Sequence, residues 1–270
     1  MLQRKMSTAL TVLAKDGVRG VARISIEKAG IWWREGEPVD FGKMVGRPIP
    51  VARLDGCRFL LDAPEVGAGL RYLLLSGKHE APERQLAKRW VNPNLPLVEF
   101  GASIGVVACV TNRLLADPSR HVVVEANPKL IPLLSRNRSL NRCHFAVQHA
   151  AVAYDAAAVR FHLSQEAISS SLHQHSDDTV VVPATTLSAV LDDRAFDVCT
   201  LICDIEGGEA DLIDFEASVL ATRVAMLIIE VHPRLIGEAP IAQLVDRLRD
   251  SGFEQIDRVW DTLALRNTRF

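Results

Sequence analysis

The sequence carries no excess of charge of either sign. Its 31 Lys and Arg stand against 33 Asp and Glu in 270 residues, a formal net charge of −2. No global basic field exists to gather nucleic acid or anionic lipid. Paired cysteines are also missing: Cys57, Cys109, Cys143, Cys199 and Cys203 are scattered without a CxxC, and no apolar stretch follows the opening MLQRK. These absences predict a reduced, cytoplasmic chain without a disulfide framework. Long apolar runs are lacking as well, since the most apolar stretch, Val219 to Val231, is interrupted by Arg223 and Glu230 and is far shorter than a membrane span. Nucleic acid and a bilayer therefore drop out of the expected partners. The last absence is the GxGxxG fingerprint of dinucleotide-binding turns.

Hydrophobic residues make up 48% of the chain, enough for one large core or one domain with an extension. Residues 7–33 place apolar groups at mixed helical spacing broken by Gly17 and Gly20, which predicts one or two short helices, with Trp32 and Trp33 as packing residues. Between Pro48 and Leu61, short apolar runs flank Asp55-Gly56, a two-residue hairpin signal. Arg71 to Trp90 returns to a helical, charged pattern that Pro93 and Pro96 would stop. The expected organisation is an N-terminal helical and β-hairpin extension over 1–90 and a main domain over 91–270.

In the main domain, strand-like and helix-like segments alternate. LVEF, HVVVEA, HFAVQHAAV, TLICDI and AMLIIEVH are separated by helical patterns near 105–116, 129–141, 210–220 and 241–251. Apolar strands divided by helices imply an α/β fold with a parallel sheet covered on both faces. FEQIDRV and TLALRN then follow each other too closely for a crossover helix and should pair antiparallel. The expected architecture is five parallel strands closed by a C-terminal hairpin.

The stretch VEFGASIG marks the first strand-to-helix turn. Gly101 follows the strand and Gly105 opens the helix, where backbone N–H groups are unpaired and a side chain would obstruct a ligand resting on the turn. An acid precedes the glycines and the phosphate-type spacing is missing, so a cationic or hydroxyl-rich ligand suits the turn better than a diphosphate. S-adenosylmethionine is such a ligand. Glu125, at the end of the second strand and 20 residues after Gly105, can accept hydrogen bonds from both ribose hydroxyls.

Together Glu99-Phe-Gly-Ala-Ser-Ile-Gly105, Glu125-Ala-Asn-Pro128, NRSLN over 137–141, Ala150-Ala-Val152, Asp204-Ile-Glu-Gly-Gly-Glu209 and Glu230-Val-His232 resemble the FkbM-type S-adenosylmethionine-dependent methyltransferases in order and spacing, over about residues 80–260. Members usually carry Asp at the position of Glu99 and Asn at that of Ser103. The resemblance implies the Rossmann-like seven-stranded class I methyltransferase sheet and O-methylation of a sugar, glycan or polyketide-type acceptor. It makes Glu99, Gly101, Ala102, Ser103, Gly105, Glu125, Ala126, Ala151 and Asp204 the cofactor contacts, with Ala150 and Ala151 bordering the adenine, and puts the Ser169 to Leu172 loop near cofactor or acceptor.

Ligands of open α/β sheets bind beyond the carboxyl ends of the strands. Asp204 and Glu206 end the fourth core strand, and Glu230 and His232 end the fifth, so all four should converge there. An aliphatic alcohol must lose its proton to accept a methyl group. His232 is the expected base, titrating near neutrality before any tuning, with Glu206 or Glu230 orienting it or binding the acceptor. Alternatively Asp204, Glu230 and His232 hold Mg2+ or another divalent cation that polarises the acceptor; the metal-free arrangement is preferred. Glu80 and Glu83 either reach the methionine ammonium or form a solvated helix face. The H-x-H of His173 and His175, with His162 nearby, reads as solvated surface. Two other classes remain open, an NAD-dependent Rossmann oxidoreductase and a non-catalytic S-adenosylmethionine-binding protein. The rim acids speak against the second and the missing GxGxxG against the first. A homo-oligomer is compatible with the sequence.

Overall fold

The computed structural model describes residues 50–163 and 178–270. The expectations for residues 7–33, the loop from Ser169 to Leu172, and His173 and His175 lie outside them. The chain divides into two compact units between His79 and Glu80. In the first, β1 (Val51–Leu54) and β2 (Cys57–Leu60) pair antiparallel with Leu54 opposite Cys57. Asp55 and Gly56 form the loop with φ of 47° and 80°, the backbone that a two-residue turn of matching twist needs. The helix α1 (Ala68–Ser76) follows and ends at Gly77 in the left-handed conformation.

The second unit begins with α2 (Ala81–Trp90), then β3 (Leu97–Phe100), α3 (Val106–Asn112), β4 (His121–Glu125), α4 (Ile131–Leu140) and β5 (Ala146–His149). A short β6 (Ala151–Val152), β7 (Ala158–His162), β8 (Thr179–Thr185) and α5 (Leu187–Asp193) precede β9 (Cys199–Cys203). The chain closes with α6 (Glu209–Arg223), β10 (Val224–Glu230), α7 (Pro233–Ile236), α8 (Glu238–Asp250), β11 (Phe253–Val259) and β12 (Thr262–Asn267). Among the described residues no helix is long and apolar enough to cross a membrane.

Seven strands form one sheet in the order β11-β12-β10-β9-β3-β4-β5. The five from β10 to β5 run parallel, and β12 slots antiparallel between β10 and β11. This is the expected seven-stranded α/β sheet. Strands β3, β4 and β9 are buried at every residue, because alternate side chains meet helices on opposite faces. Val98, Val124, Leu201 and Ile229 pack with Leu187, Leu212 and Leu248; Leu97, Ile202 and Ile228 pack with Leu86, Ala87 and Val107. The order in which strands are added reverses between β3 and β9, and in such sheets the crevice opens at the carboxyl ends beside that point.

Three expectations are corrected. The helical pattern over 71–90 is two helices, because Gly77 and Glu80 both take positive φ, 77° and 47°. The second of them packs with the main unit rather than the extension: Leu86 and Ala87 join its core, and the Trp90 indole donates to Asp257 at 2.9 Å. The unit boundary accordingly lies at 79/80 instead of 90/91. Finally, Ala151–Val152, Ala158–His162 and Thr179–Thr185 form a second sheet, of order β6-β8-β7, that the strand reading did not include. HFAVQHAAV also breaks in two at Ala150, whose N–H donates to the Glu125 carbonyl at 3.2 Å as the chain passes to this second sheet.

Candidate active site

The turn after β3 is shaped by contacts within the protein. Gly101 has φ 82°, and a Cβ on it would stand 1.6 Å from the backbone carbonyl oxygen of Asp204. Gly105 has the same φ, and its Cβ would stand 2.4 Å from Leu134 Cδ1 on α4. Both glycines are therefore required by close packing of the turn against the loop after β9 and against α4, before any ligand is considered. The N–H groups of Gly101 and Ala102 donate to the Val124 carbonyl at 3.0 and 3.3 Å, fastening the turn to β4.

Glu125 lies at the end of β4 and is 6% exposed. Its Oε2 accepts from the Ser103 N–H at 2.6 Å and its Oε1 from the Asn127 N–H at 2.7 Å. Burial pushes its carboxyl up to about 7, against the pull of those two hydrogen bonds. Each oxygen keeps a second acceptor position. Ser103, at φ 49°, leaves its buried Oγ without a hydrogen-bond partner beside this carboxylate. Ala126 follows directly and is half-buried, while Ala102, Ala150 and Ala151 are buried. Ala151 pairs with Ala184 in the second sheet.

Glu99 lies within β3, just before the turn. It is 2% exposed, and burial foremost, then the charge of Glu80, holds its carboxyl well above the usual range. The Ala108 N–H of α3 donates to it, and its Oε2 stands 3.9 Å from Nε2 of His121. Burial pushes His121 down to about 3, so that imidazole is neutral. Glu99 is thus buried between β3 and α3, with the Ala108 N–H as its donor.

The remaining acids gather around His232. Its Nε2 stands 3.4 Å from Asp204 Oδ1 and 3.6 Å from Glu206 Oε2, and its Nδ1 3.2 Å from Glu209 Oε1. Neither Nδ1 nor Asp204 Oδ1 makes an aligned hydrogen bond, so these are ion-pair contacts. Glu209, fully buried at the first turn of α6, accepts from the N–H groups of Ile205 and Gly207 at 3.1 and 3.0 Å. The Asp-Ile-Glu-Gly-Gly-Glu segment is therefore a tight loop folded onto its own last side chain. Register places Glu230 alongside: Ile229 is opposite Cys203, and one ligand atom each from Asp204, Glu230 and His232 lie within 4.8 Å of one another.

This crowding decides the charges. Burial, then the charge of Asp204, raises Glu206 to about 7. Burial, then the charges of Asp204 and Glu83, raises Glu230 to about 9. For His232 burial is the largest single influence and opposes its charge, but contact with Asp204 and Glu209 outweighs it and pushes the imidazole up to about 11. These contacts favour the charged imidazole and make His232 the ionic partner of the acids around it.

A family model, the methyltransferase FkbM domain, matches residues 99–270. The chain belongs to this family. It is a methyltransferase of the S-adenosylmethionine-dependent kind. No curated protein matches it. Among solved structures, that of M. jannaschii TYW2 in complex with AdoMet is similar at 16% identity, over 80% of this chain and 82% of that one, with a TM-score of 0.41. Aeropyrum pernix fibrillarin, with natively bound S-adenosyl-L-methionine, is similar at 12% identity over 68% and 71%, with a TM-score of 0.39.

The FkbM-family site also recruits residues that sequence reasoning undervalued. Glu83 of α2 is buried at the rim and accepts from the Thr262 hydroxyl, with its carboxyl raised to about 7 by burial. The signal was present: Glu83 shares a helical stripe with Pro82, Leu86 and Ala87, all buried. Glu80 accepts from the Val107 N–H at 3.3 Å, joining α2 to the first turn of α3. Glu209 stands at the start of α6, and no spacing rule shows that it turns back onto His232.

Proposed function

We propose that this FkbM-family methyltransferase methylates a hydroxyl of a small-molecule or glycan acceptor, such as a sugar or a polyketide-type product. The observation that carries the reading is Glu125, a buried carboxylate fixed by the Ser103 and Asn127 N–H groups at the mouth of a glycine-shaped turn. Its two remaining acceptor positions suit the vicinal hydroxyls of a ribose. The unpartnered Ser103 Oγ lies at the same turn, and Ala126, Ala150 and Ala151 offer a small-residue border for adenine. S-adenosylmethionine bound there supplies an electrophilic methyl group on a sulfonium.

The protein's own task is to hold an acceptor oxygen in line with that methyl group and to remove its proton. When ionised, the rim carboxylates offer only hydrogen-bond acceptors, which fits a hydroxyl-bearing acceptor. Glu206, with 29% of its side chain exposed, is the rim acid an entering acceptor meets and takes the proton. His232 positions Glu206 and Asp204, and Glu209 holds His232.

The reading is tested with methyl-labelled S-adenosylmethionine and a panel of glycosides, polyols and matched amines, products being located by mass spectrometry. Oxygen-linked label with wild type, lost in Glu206→Gln while S-adenosylhomocysteine still binds, is the expected result. Label on nitrogen alone would overturn the hydroxyl assignment. Tight binding of NAD in place of S-adenosylhomocysteine would overturn the cofactor assignment.

A further inference from the structure

The loop between β11 and β12 holds a residue that the stability of the fold does not explain. Trp260 and Asp261 are the two loop residues of this hairpin, with Val259 paired to Thr262. Trp260 has φ 54°, a left-handed backbone in which glycine, asparagine or aspartate is favoured. It is also 74% exposed. An aromatic residue here strains the turn and buries little apolar area.

The loop is fastened to the acceptor side of the site. The Val231 N–H donates to the Asp261 carbonyl at 2.9 Å, Thr262 lies opposite Glu230, and the Thr262 hydroxyl donates to Glu83. The tip thus sits one strand spacing, about 4.8 Å, from the end of β10 that carries Glu230 and His232. Between this hairpin and α8 opens a cleft of about 330 Å3, within the size range of small-molecule sites, roughly 300–1,000 Å3. Val231, the residue between Glu230 and His232, lines it together with Ile241 and Leu263, while Gln255, Arg258 and Asp261 bring donors and acceptors from the hairpin.

We propose that Trp260 and this cleft form an acceptor subsite for a second sugar ring, so that the acceptor is a glycoside or glycan of at least two rings. This rests on the hydroxyl-methylation reading above and narrows its acceptor. A sugar ring presents hydroxyls that both donate and accept, and C–H faces that lie flat on an aromatic ring; an exposed indole beside mixed donors and acceptors matches both. Arg249 and Arg258 are met in the cleft by Glu238, Asp246 and Asp261, so no surplus of positive charge calls for a phosphate. Arg258 Nη2 and Asp261 Oδ1 stand 3.7 Å apart, beyond hydrogen-bond length, and both keep capacity for a ligand hydroxyl. The Arg249 and Asp246 pair is exposed on both sides and exchanges for such a ligand at little cost.

The test is ligand-observed NMR and calorimetry on the full chain with maltose, cellobiose, lactose and chitobiose, each beside its component monosaccharides and with S-adenosylhomocysteine present. At least one disaccharide should bind about tenfold more tightly than its monosaccharides. Trp260→Gly should lower that affinity about tenfold and Gln255→Ala severalfold, while Trp260→Phe retains most of it. Glycine relieves the left-handed backbone, so Trp260→Gly should leave Tm level or raise it. A lower Tm would make the indole structural and overturn the proposal. So would disaccharide binding that is absent at millimolar concentration, no tighter than that of the monosaccharides, or unchanged in either weakening variant. Light scattering is run alongside, because an assembly that dissociates in Trp260→Gly would assign the indole to a second copy of the chain and overturn the subsite. S-adenosylhomocysteine binding is measured on the same samples: disaccharide binding without it sinks the methyltransferase reading and keeps the sugar subsite, and the reverse sinks the subsite alone.

Discussion

Replacing Gly101 by alanine is the sharpest probe of how the site is built. Gly101 sits at φ 82°, and the new Cβ would fall 1.6 Å from the Asp204 carbonyl oxygen and 2.7 Å from its carbon. Those atoms are backbone, so no rotamer relieves the clash; the two loops must part by about 1.5 Å or more to restore van der Waals contact. The left-handed conformation itself costs an alanine about 1–2 kcal/mol. Parting the loops also strains the Asp204 N–H to Phe100 carbonyl bond of 3.0 Å, worth about 1 kcal/mol net. The sum, about 2–3 kcal/mol, corresponds to a fall in Tm of roughly 4–12 °C for a unit of this size. Because Asp204 is displaced, S-adenosylhomocysteine affinity should fall as well. Urea unfolding and calorimetry measure both, with Gly67→Ala as control, since its Cβ would meet nothing within 4 Å. A Gly101→Ala protein within 0.5 kcal/mol of wild type, and with unchanged affinity, would refute the account of the turn.

Gly105→Ala should be milder than Gly101→Ala in the same assays, because its Cβ meets the movable end of Leu134 and not backbone; an equal or larger loss would contradict this. Burial raises Glu125 to about 7, so its ionised form falls from about nine-tenths at pH 8 to about one-tenth at pH 6. S-adenosylhomocysteine affinity should weaken up to about tenfold over that range and flatten in Glu125→Gln. The same raised carboxyl has the opposite effect on the ligand-free fold: its stabilising contribution is complete below about 4.5 and is lost as pH climbs through about 7. Glu125→Gln should therefore gain stability relative to wild type at pH 8 compared with pH 5 in urea titrations; a constant difference would show that Glu125 does not titrate as its burial requires. Asn267→Ala removes a buried amide that donates to the carbonyls of Ala221 and Val224 at 3.0 and 2.9 Å. Losing these bonds, with the Ala221 carbonyl keeping only Arg269 Nη1 at 3.3 Å, should cost about 1–3 kcal/mol by urea unfolding, and a loss below 0.5 kcal/mol would contradict the bonding.

Much of the fold was legible because its strands repeat one physical pattern. FEQIDRV and TLALRN coincide with β11 and β12, and Asp55-Gly56 forms the loop its chemistry predicts. The second sheet was not legible, and Pro183 shows why. A proline inside a run argues against a strand, yet β8 tolerates it because β6 pairs only with Ala184 and Thr185, leaving no ladder bond to lose on that side of Pro183. The site divides in the same way. Asp204, Glu206, Glu230 and His232 could be named from their place at strand ends. The charge on His232 could not, because it depends on carboxylates from two other segments at distances that spacing does not encode. Glu99 illustrates the limit for strands: periodicity marks two faces, but only packing shows that its face is closed by α3.

The central claim is that the turn from Gly101 to Gly105 and the Glu125 carboxylate form the S-adenosylmethionine site, and calorimetry with S-adenosylhomocysteine tests it most directly. Two charge-assisted hydrogen bonds to ribose hydroxyls, each worth about 1.5–3 kcal/mol, predict that wild type binds and that Glu125→Ala weakens binding at least about 100-fold with the fold intact by circular dichroism. A folded Glu125→Ala protein that binds as tightly as wild type would contradict it.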